Sequence, residues 1–299
     1  MTQTTQGSMS TKKLILTVVI YVVVIAAALV GGYFLAQAAV PAPKIGVLYL
    51  DMEVSTLLSE IMYRQIDYAL NTPDIKGVVL VVNSPGGSAS AGQDIYLQIR
   101  QLRAKKPVVA SVDIGAFSAA YQISVAATKI YAKPASFVGN VGVIMGQPGV
   151  DVLSEDYTTT GPYKSIGASA TGVLQKQDLI FNDFRDTVVA ERSAAPNALK
   201  ISREQLSTGE IWVGIEAMEY GLIDALGSKL DATNEVARLA GLRNYQVVDL
   251  WQEYVSSLGE DEALLAANLL TALKNQPKFD MSSHQERWPS FYEIYIPLE

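Results

Sequence analysis

The chain contains no cysteine and only one histidine, and these two shortages restrict the chemistry that it can perform. Without cysteine there is no thiol nucleophile, no disulfide and no thiolate ligand for a metal. The histidine, His284, lies in a polar stretch near the C-terminus that is typical of a solvated loop. We therefore expect no Ser-His-Asp triad, no metal site and no cofactor, and a hydrolytic serine would need lysine or a carboxylate as its base.

Positive charge is also sparse. The 299 residues include 23 Lys and Arg against 30 Asp and Glu, which gives a formal net charge of −7. No cluster of basic residues is dense enough to neutralise a phosphate backbone, so we do not expect nucleic acid as a partner. The mean hydropathy of +0.19 exceeds what a soluble chain needs, and a membrane segment would account for the excess.

One long run lacks charge altogether, between Leu14 and Pro43. About 20 apolar residues are enough to cross a bilayer, so residues 12–39 are predicted to form a transmembrane anchor. The polar residues before it, 1–11, are predicted to be a disordered cytoplasmic N-terminus.

The distribution of lysine predicts the orientation of this anchor. Lys12 and Lys13 precede the apolar run and no basic residue follows until Lys44. Positive charge stays on the cytoplasmic side, which places the rest of the chain outside the plasma membrane. The alternative is a cleaved signal peptide, because the small residues of Ala36-Gln-Ala-Ala resemble a cleavage site. In either case the remainder is exported.

Beyond residue 43, short apolar runs alternate with helical patterns, which is typical of α/β architecture. One domain is predicted over residues 44–240. Residues 241–299 are predicted to form a C-terminal extension that packs on a neighbouring subunit, and the alternatives are a segment that lies in the chain's own binding groove and a disordered tail. Strands are predicted at Ile45–Leu50, Val78–Val82, Val108–Val112, Ile130–Ala132 and Val141–Ile144. Helices are predicted at Thr56–Asn71, Ala89–Ala104, Ser118–Ala127, Gln175–Ala194, Ile215–Tyr220 and Glu260–Lys274.

A serine opens the helix that follows the third predicted strand. Ser118 comes after a tight turn predicted at Gly115 and Ala116. Free N–H groups and the positive end of the helix dipole favour a developing negative charge there, which suits a nucleophile. The alternative is a serine that merely caps the helix.

Two further motifs would complete a site around this serine. In Ser84-Pro-Gly-Gly-Ser the glycines permit close backbone approach, and the N–H groups of Gly87 and Ala119 would form an oxyanion hole. In Gly161-Pro-Tyr-Lys-Ser, Lys164 has no acidic neighbour, and burial of its amine would favour the neutral form that deprotonates a serine. The alternatives are an ordinary turn with Ser88 as helix cap, and an exposed lysine.

Together and in this order, these motifs resemble the signal peptide peptidase A family in its short, single-domain form. The resemblance covers roughly Ile45 to Ala240, and it implies a crotonase-like fold shared with the caseinolytic protease. It places the family's nucleophile on Ser118, its general base on Lys164 and its oxyanion glycine on Gly87. It also implies a ring-shaped octamer on a membrane in which the serine of one subunit meets the lysine of its neighbour.

The activity that the resemblance implies is a membrane-anchored serine endopeptidase that uses a Ser/Lys dyad. Its substrates would be cleaved signal peptides and other unfolded or membrane-associated apolar peptides, with small or apolar residues at the cleaved position.

The chain departs from the family's pattern at two places. Ala119-Ala-Tyr-Gln follows the serine where the family usually has Gly-Gly-Tyr-Tyr, and Asn140 stands where a serine is common. One alternative function is therefore an inactive peptide-binding scaffold of the same fold. The other is a crotonase-type acyl-CoA enzyme, which would need carboxylates at the site, and Asp113 lies near a strand end. The lysine motif and the anchor argue against it.

Overall fold

The computed structural model describes residues 11–39, 42–146, 160–161, 163–164 and 166–275. The chain divides into two compact units, with the boundary between Pro43 and Lys44. Most of the predicted disordered N-terminus, His284 and the aromatic end of the predicted C-terminal extension lie outside the described residues.

The first unit contains helix α1, Thr11–Ala39. Its segment Thr11–Leu35 has a mean hydropathy of 3.0 and is the one helix, within the described ranges, that is long and apolar enough to cross a membrane. The 29 residues would extend about 44 Å, which exceeds the ~30 Å hydrocarbon core of a bilayer. Every side chain from residue 11 to residue 35 is exposed, so no other described segment of the first unit packs against this apolar surface.

The second unit is an α/β domain built on a mostly parallel sheet. Its strands are β1 Lys44–Leu50, β2 Ile75–Ser84, β3 Val108–Phe117, β4 Lys129–Ala132, β5 Phe137–Gly139, β6 Ile211–Val213, β7 Ala225–Leu226 and β8 Gln246–Asp249. They are ordered β6-β5-β3-β2-β1-β8, and β4 pairs with both β3 and β7. Among the described pairings, only that of β5 with β6 is antiparallel.

Helices cover both faces of this sheet. They are α2 Thr56–Asn71, α3 Ala89–Arg103, α4 Ala119–Val125, α5 Ala170–Ser193, α6 Arg203–Leu206, α7 Gly214–Glu219, α8 Lys229–Leu239, α9 Leu250–Ser256 and α10 Glu260–Lys274. Along β2, Val79 packs with Val236 of α8 on one face, whereas Leu80 belongs to the larger core on the other face. Burial on both faces explains why β2 is almost continuously apolar.

The first four predicted strands and the predicted helices are present, with boundaries shifted by a few residues. The predicted strand Val141–Ile144 is wrong, because the strand lies earlier, at Phe137–Gly139. Gly139 and Asn140 adopt φ values of +112° and +55°, and this left-handed backbone ends the strand before Val141.

The sheet continues beyond residue 240, where the sequence predicts the peptidase domain to end. Strand β8 pairs in parallel with β1, and Leu250 at the start of α9 is fully buried. Leu250 lies so close to Gly46 that a Cβ there would meet its Cδ2 at 2.5 Å. Residues 246–275 are therefore part of the second unit.

Candidate active site

Ser118 lies at the junction between the end of β3 and the start of α4. Its φ of +52° and ψ of −124° are an uncommon conformation for a residue other than glycine. Its backbone N–H donates a hydrogen bond to the carbonyl oxygen of Gly139 at 3.0 Å, which fixes it against the neighbouring strand. Strained residues of this kind persist where the surrounding structure holds them, and they concentrate at functional sites.

The hydroxyl of Ser118 does not cap α4. Ser118 occupies the N-cap position, but its side chain accepts no hydrogen bond from the helix. The serines before α2, α3 and α5 (Ser55, Ser88 and Ser169) each accept such a bond. The capping alternative therefore does not describe this serine, whose hydroxyl stays available for another role.

Helix α4 is anchored by Tyr121. This side chain is fully buried, and its hydroxyl donates a hydrogen bond to the carbonyl oxygen of Leu222 at 2.8 Å. Burial raises the pKa of Tyr121, so the phenol stays protonated and remains a donor. The first turn of α4, and with it Ser118, is thus tied to a distant part of the chain.

Two glycines approach the serine from the turn after β2. Gly86 and Gly87 have φ values of +92° and +148°. A Cβ on Gly86 would lie 2.8 Å from the Cβ of Ser118, and a Cβ on Gly87 would lie 2.3 Å from the carbonyl oxygen of Val54. Both the backbone conformation and the close approach require glycine.

Gly87 and Ala119 line the same cavity as Ser118. Within the part of the chain that the structure describes, neither of their backbone N–H groups donates a hydrogen bond. Neighbouring groups are engaged: the N–H of Gly86 donates to Ser84 Oγ, and that of Ser88 donates to the carbonyl oxygen of Val54. Two N–H groups without a partner in one cavity with a serine are a candidate oxyanion hole.

These groups border a cavity of about 590 Å³. Its lining includes Gly87, Ser118, Gln122, Asn140, Ile180 and Phe184. Asn140 joins two of the walls, because its N–H donates to the carbonyl oxygen of Glu210 at 2.8 Å and its Nδ2 donates to that of Gly209 at 2.9 Å. Within the described residues, no group of three or more His, Asp or Glu side chains is placed to hold a metal.

A polar network holds α5 against α3 and so supports the apolar wall of the cavity. Glu191 of α5 accepts hydrogen bonds from the hydroxyl of Tyr96 at 2.8 Å and from Arg103 at 2.9 Å, both on α3. Burial, and then the hydrogen bond to Glu191, raise the pKa of Tyr96 to about 12. Burial opposes ionisation of Glu191, but the bonds from Arg103 and Tyr96 outweigh it and lower the pKa of that carboxyl.

Lys164 lies outside this cavity. It is exposed, and its backbone N–H donates to the carbonyl oxygen of Gly161 at 3.3 Å in a turn. Of the cavity's described lining residues, none comes from residues 160–170. The single chain therefore brings Ser118, Gly87 and Ala119 together, and it does not bring Lys164 into the same cavity. Pro162 and Ser165, beside the lysine, are outside the described residues.

Two family models match overlapping parts of the chain. The Clp protease model matches residues 43–147, and the Peptidase family S49 model matches residues 100–243. These matches confirm the resemblance to the signal peptide peptidase A family, peptidase family S49. The α/β domain of the chain is Clp-protease-like, with Ser118, Gly87 and Ala119 inside the matched segments.

Several relatives are similar to the chain over more than half of its length. The chain is 33% identical to a candidate protease of Methanocaldococcus jannaschii over 58% of this chain and 60% of the relative. It is 30% identical to Protease 4 of Salmonella typhi, over 63% and 32%. It is 28% identical to a candidate signal peptide peptidase of Enterococcus faecium, over 58% and 54%. The match thus spans less than two thirds of each of these relatives.

Some residues that line the cavity were not predicted from the sequence as part of the site. Ile180 and Phe184 form a wall from α5, and Gln122 lies one turn beyond Ser118. Their apolar or helical pattern gives no functional signal, although the spacing of four residues places Gln122 on the helix face of Ser118. Asp113, the carboxylate considered for acyl-CoA chemistry, is not among the described lining residues and pairs with Lys133.

Proposed function

We propose that the chain is a membrane-anchored serine endopeptidase in which Ser118 is the nucleophile and Lys164 the general base. The observation that carries the proposal is the uncapped hydroxyl of Ser118, which is held in a strained conformation and shares its cavity with two free N–H groups. The match to a protease family supports the reaction class, and α1 is long and apolar enough to serve as the anchor.

The reaction begins when the Ser118 Oγ attacks the carbonyl carbon of the scissile peptide bond. The neutral amine of Lys164 takes the hydroxyl proton, and the N–H groups of Gly87 and Ala119 hold the oxyanion. The tetrahedral intermediate then collapses, the C–N bond breaks and the ammonium protonates the leaving amine. Water next attacks the acyl-enzyme and gives a proton to Lys164, and that proton returns to Ser118 Oγ when the acid product leaves.

The exposed position of Lys164 supports a site that two copies of the chain complete. A base has to come within hydrogen-bond reach of the proton that it removes. Because Lys164 is exposed and absent from the described lining of its own cavity, the lysine of a neighbouring copy is the better candidate. By family resemblance, we propose a homo-oligomeric ring of eight subunits.

Mixing two inactive variants tests the shared site. Ser118→Ala and Lys164→Ala chains, combined under subunit exchange, would form some sites that contain an intact serine and an intact lysine. Activity that appears only in the mixture supports sharing. A mixture as inactive as its parents would overturn it, provided that crosslinking shows mixed oligomers.

The anchor determines where the enzyme would act. With Lys12 and Lys13 on the cytoplasmic side, the second unit would lie outside the plasma membrane, close to the bilayer. We propose that it hydrolyses cleaved signal peptides and other apolar, unfolded segments, and that the chemistry needs no cofactor. A reporter fused after residue 275 would be active only in the extracytoplasmic compartment if this orientation is correct.

The first experiment is hydrolysis of a fluorogenic apolar peptide by the full chain in detergent micelles. We expect wild type to be active, with a rate that rises with pH as the base loses its proton. Ser118→Ala and Lys164→Ala should each be inactive, whereas Lys176→Ala, which removes another exposed lysine, should match wild type. An active Lys164→Ala chain would place the base elsewhere.

The alternative of an inactive scaffold is supported by Ala119 and Ala120, where the family usually has glycine. The serine-reactive fluorophosphonate probe separates the two functions, because it needs an activated nucleophile. Labelling that Ser118→Ala abolishes supports the enzyme. Peptide binding without labelling or cleavage would favour the scaffold.

A further inference from the structure

Gln122 holds a fixed position relative to the nucleophile. It lies one turn beyond Ser118 on α4, and its backbone N–H donates to the carbonyl oxygen of Ser118 at 3.1 Å. Residues four apart share one face of a helix, so the side chain of Gln122 lies on the same side of α4 as Ser118. It lines the same cavity.

The side chain of Gln122 is confined. It is 4% exposed, and a Cβ on Gly92 of α3 would lie 3.7 Å from its Oε1. Ile180 and Phe184 line the same cavity, and Phe184 is itself 5% exposed.

Within the residues that the structure describes, the amide of Gln122 makes no hydrogen bond. Its amide is also not among the fully buried polar atoms that lack a partner, which in the described residues are Arg64 Nε and Gln98 Oε1. The amide is therefore open to water in the cavity, and a ligand that enters can replace this water.

Other polar side chains of the cavity have partners within the chain. Ser88 Oγ accepts from the N–H of Ala91, Gln93 Nε2 donates to Asp183, Asn140 Nδ2 donates to Gly209, and Thr208 Oγ1 donates to Gln205. Glu53 is exposed to solvent at the edge. Among the described lining residues, Gln122 is therefore the buried polar side chain whose hydrogen-bonding groups remain free to bind a ligand.

We propose that Gln122 is a specificity determinant that binds an uncharged, hydrogen-bonding side chain, an amide or a hydroxyl, on the residue whose carbonyl Ser118 attacks. The inference rests on the proposed function and refines it, because small or apolar residues were expected at this position. An amide both donates and accepts, so it matches side chains that do the same.

The physical reason is the fate of the water that solvates Gln122 in the empty cavity. An apolar side chain expels this water and leaves the amide buried without a partner, whereas an amide or hydroxyl replaces the lost hydrogen bonds. A negatively charged side chain would be buried against Phe184 and Ile180 without an opposite charge in the described lining, and a positively charged one would have only Glu53, which is exposed to solvent. The cavity therefore favours polar, uncharged side chains over apolar ones of the same shape.

The test uses peptides that differ in one side chain of equal shape, Gln against Met and Thr against Val, at the cleaved position. For the full chain in detergent micelles, we expect kcat/KM to favour the polar member by about tenfold. In Gln122→Met the ratio should fall to about one or below. The control is Gln93→Met, which lines the same cavity but whose amide already bonds Asp183, and it should keep the wild-type ratio.

Each outcome decides a different question. A wild-type ratio near one, with all peptides cleaved, overturns the role of Gln122 and leaves the proposed function standing. Failure of wild type to cleave any peptide overturns both. If Gln122→Met slows both members of each pair equally, the amide does not recognise the substrate side chain, and the inference is wrong.

Discussion

The two residues proposed for the catalytic dyad lie in segments of opposite character. Ser118 is held by the hydrogen bond of its N–H to Gly139 and by the anchoring of α4 through Tyr121. Lys164 lies in an exposed turn, and Tyr163 beside it is 50% exposed. The core of one chain thus fixes the position of Ser118, whereas the segment of Lys164 lacks comparable support within the described residues.

The largest difference between the two segments should appear when a methyl group is added to a glycine in each. In Gly86→Ala the new Cβ would lie 2.7 Å from the carbonyl oxygen of Phe117 and 2.8 Å from the Cβ of Ser118. Displacing the serine and its oxyanion donors should lower kcat/KM by about 100-fold or more, which corresponds to roughly 2.7 kcal/mol.

The matched variant is Gly167→Ala, three residues beyond Lys164. Gly167 also has a left-handed φ of +78°, but nothing lies within 4 Å of the added Cβ. Only the backbone strain of about 1–2 kcal/mol should remain, and kcat/KM should stay within about threefold of wild type. Equal losses of activity in the two variants would show that the Lys164 segment is as tightly constrained as that of Ser118.

A smaller effect is expected from an ion-pair cluster on the far face of the sheet that carries Ser118. The carboxylate of Glu235 on α8, with 9% of its side chain exposed, accepts from Arg238 at 2.8 Å and pairs with Lys129 of β4 at 2.6 Å. The hydrogen bond from Arg238, and then that from Lys129, outweigh the effect of burial and lower the pKa of Glu235 to about 2.

Because the folded state lowers this pKa below its ordinary value of 4.5, the ionised carboxylate stabilises the fold above about pH 4.5. That contribution is lost as the pH falls from 4.5 towards 2. Glu235→Gln should therefore lower the free energy of unfolding by about 1–3 kcal/mol at pH 7, and less at pH 3. The comparison variant Lys164→Ala should leave it unchanged. A pH-independent loss in Glu235→Gln would assign the effect to packing instead of charge.

The sequence predicts the Ser118 side of the site better than the Lys164 side, because the former depends on local structure. A strand that ends in glycines and a serine that opens a helix are visible in a few residues. The strand at Phe137–Gly139 escaped prediction because the left-handed conformation of Asn140 depends on its bonds to Gly209 and Glu210, about 70 residues away. Strand β8 was not predicted for a similar reason, since its four residues form a strand only by pairing with β1.

The surroundings of the lysine could not be predicted at all. Burial of Lys164 would depend on segments far along the chain or on another copy of it, and neither is encoded in Gly161-Pro-Tyr-Lys. Gln122 shows the intermediate case. The sequence shows that Gln122 follows Ser118 by four residues. The burial of its side chain, however, depends on Gly92 and Phe184, which lie on two other helices.

The smallest expected effects come from removing one tyrosine hydroxyl in each segment. Tyr121→Phe leaves the buried carbonyl oxygen of Leu222 without its donor, so unfolding should become easier by about 1–2 kcal/mol. Tyr163→Phe removes an exposed hydroxyl and should change the free energy by no more than about 0.5 kcal/mol. Denaturant unfolding, followed by the fluorescence of the buried Trp212, measures both.

Measuring the unfolding of these two variants at several protein concentrations tests whether two copies of the chain share the site. At concentrations where the chain is monomeric, Tyr121→Phe should destabilise the fold more than Tyr163→Phe does, because Tyr163 is exposed in the single chain. If Tyr163→Phe becomes destabilising only when copies associate, its hydroxyl gains a partner from a neighbour, and the segment of Lys164 is ordered at an interface. If the effect of Tyr163→Phe stays negligible at every concentration, this tyrosine gives no support for an interface at Lys164.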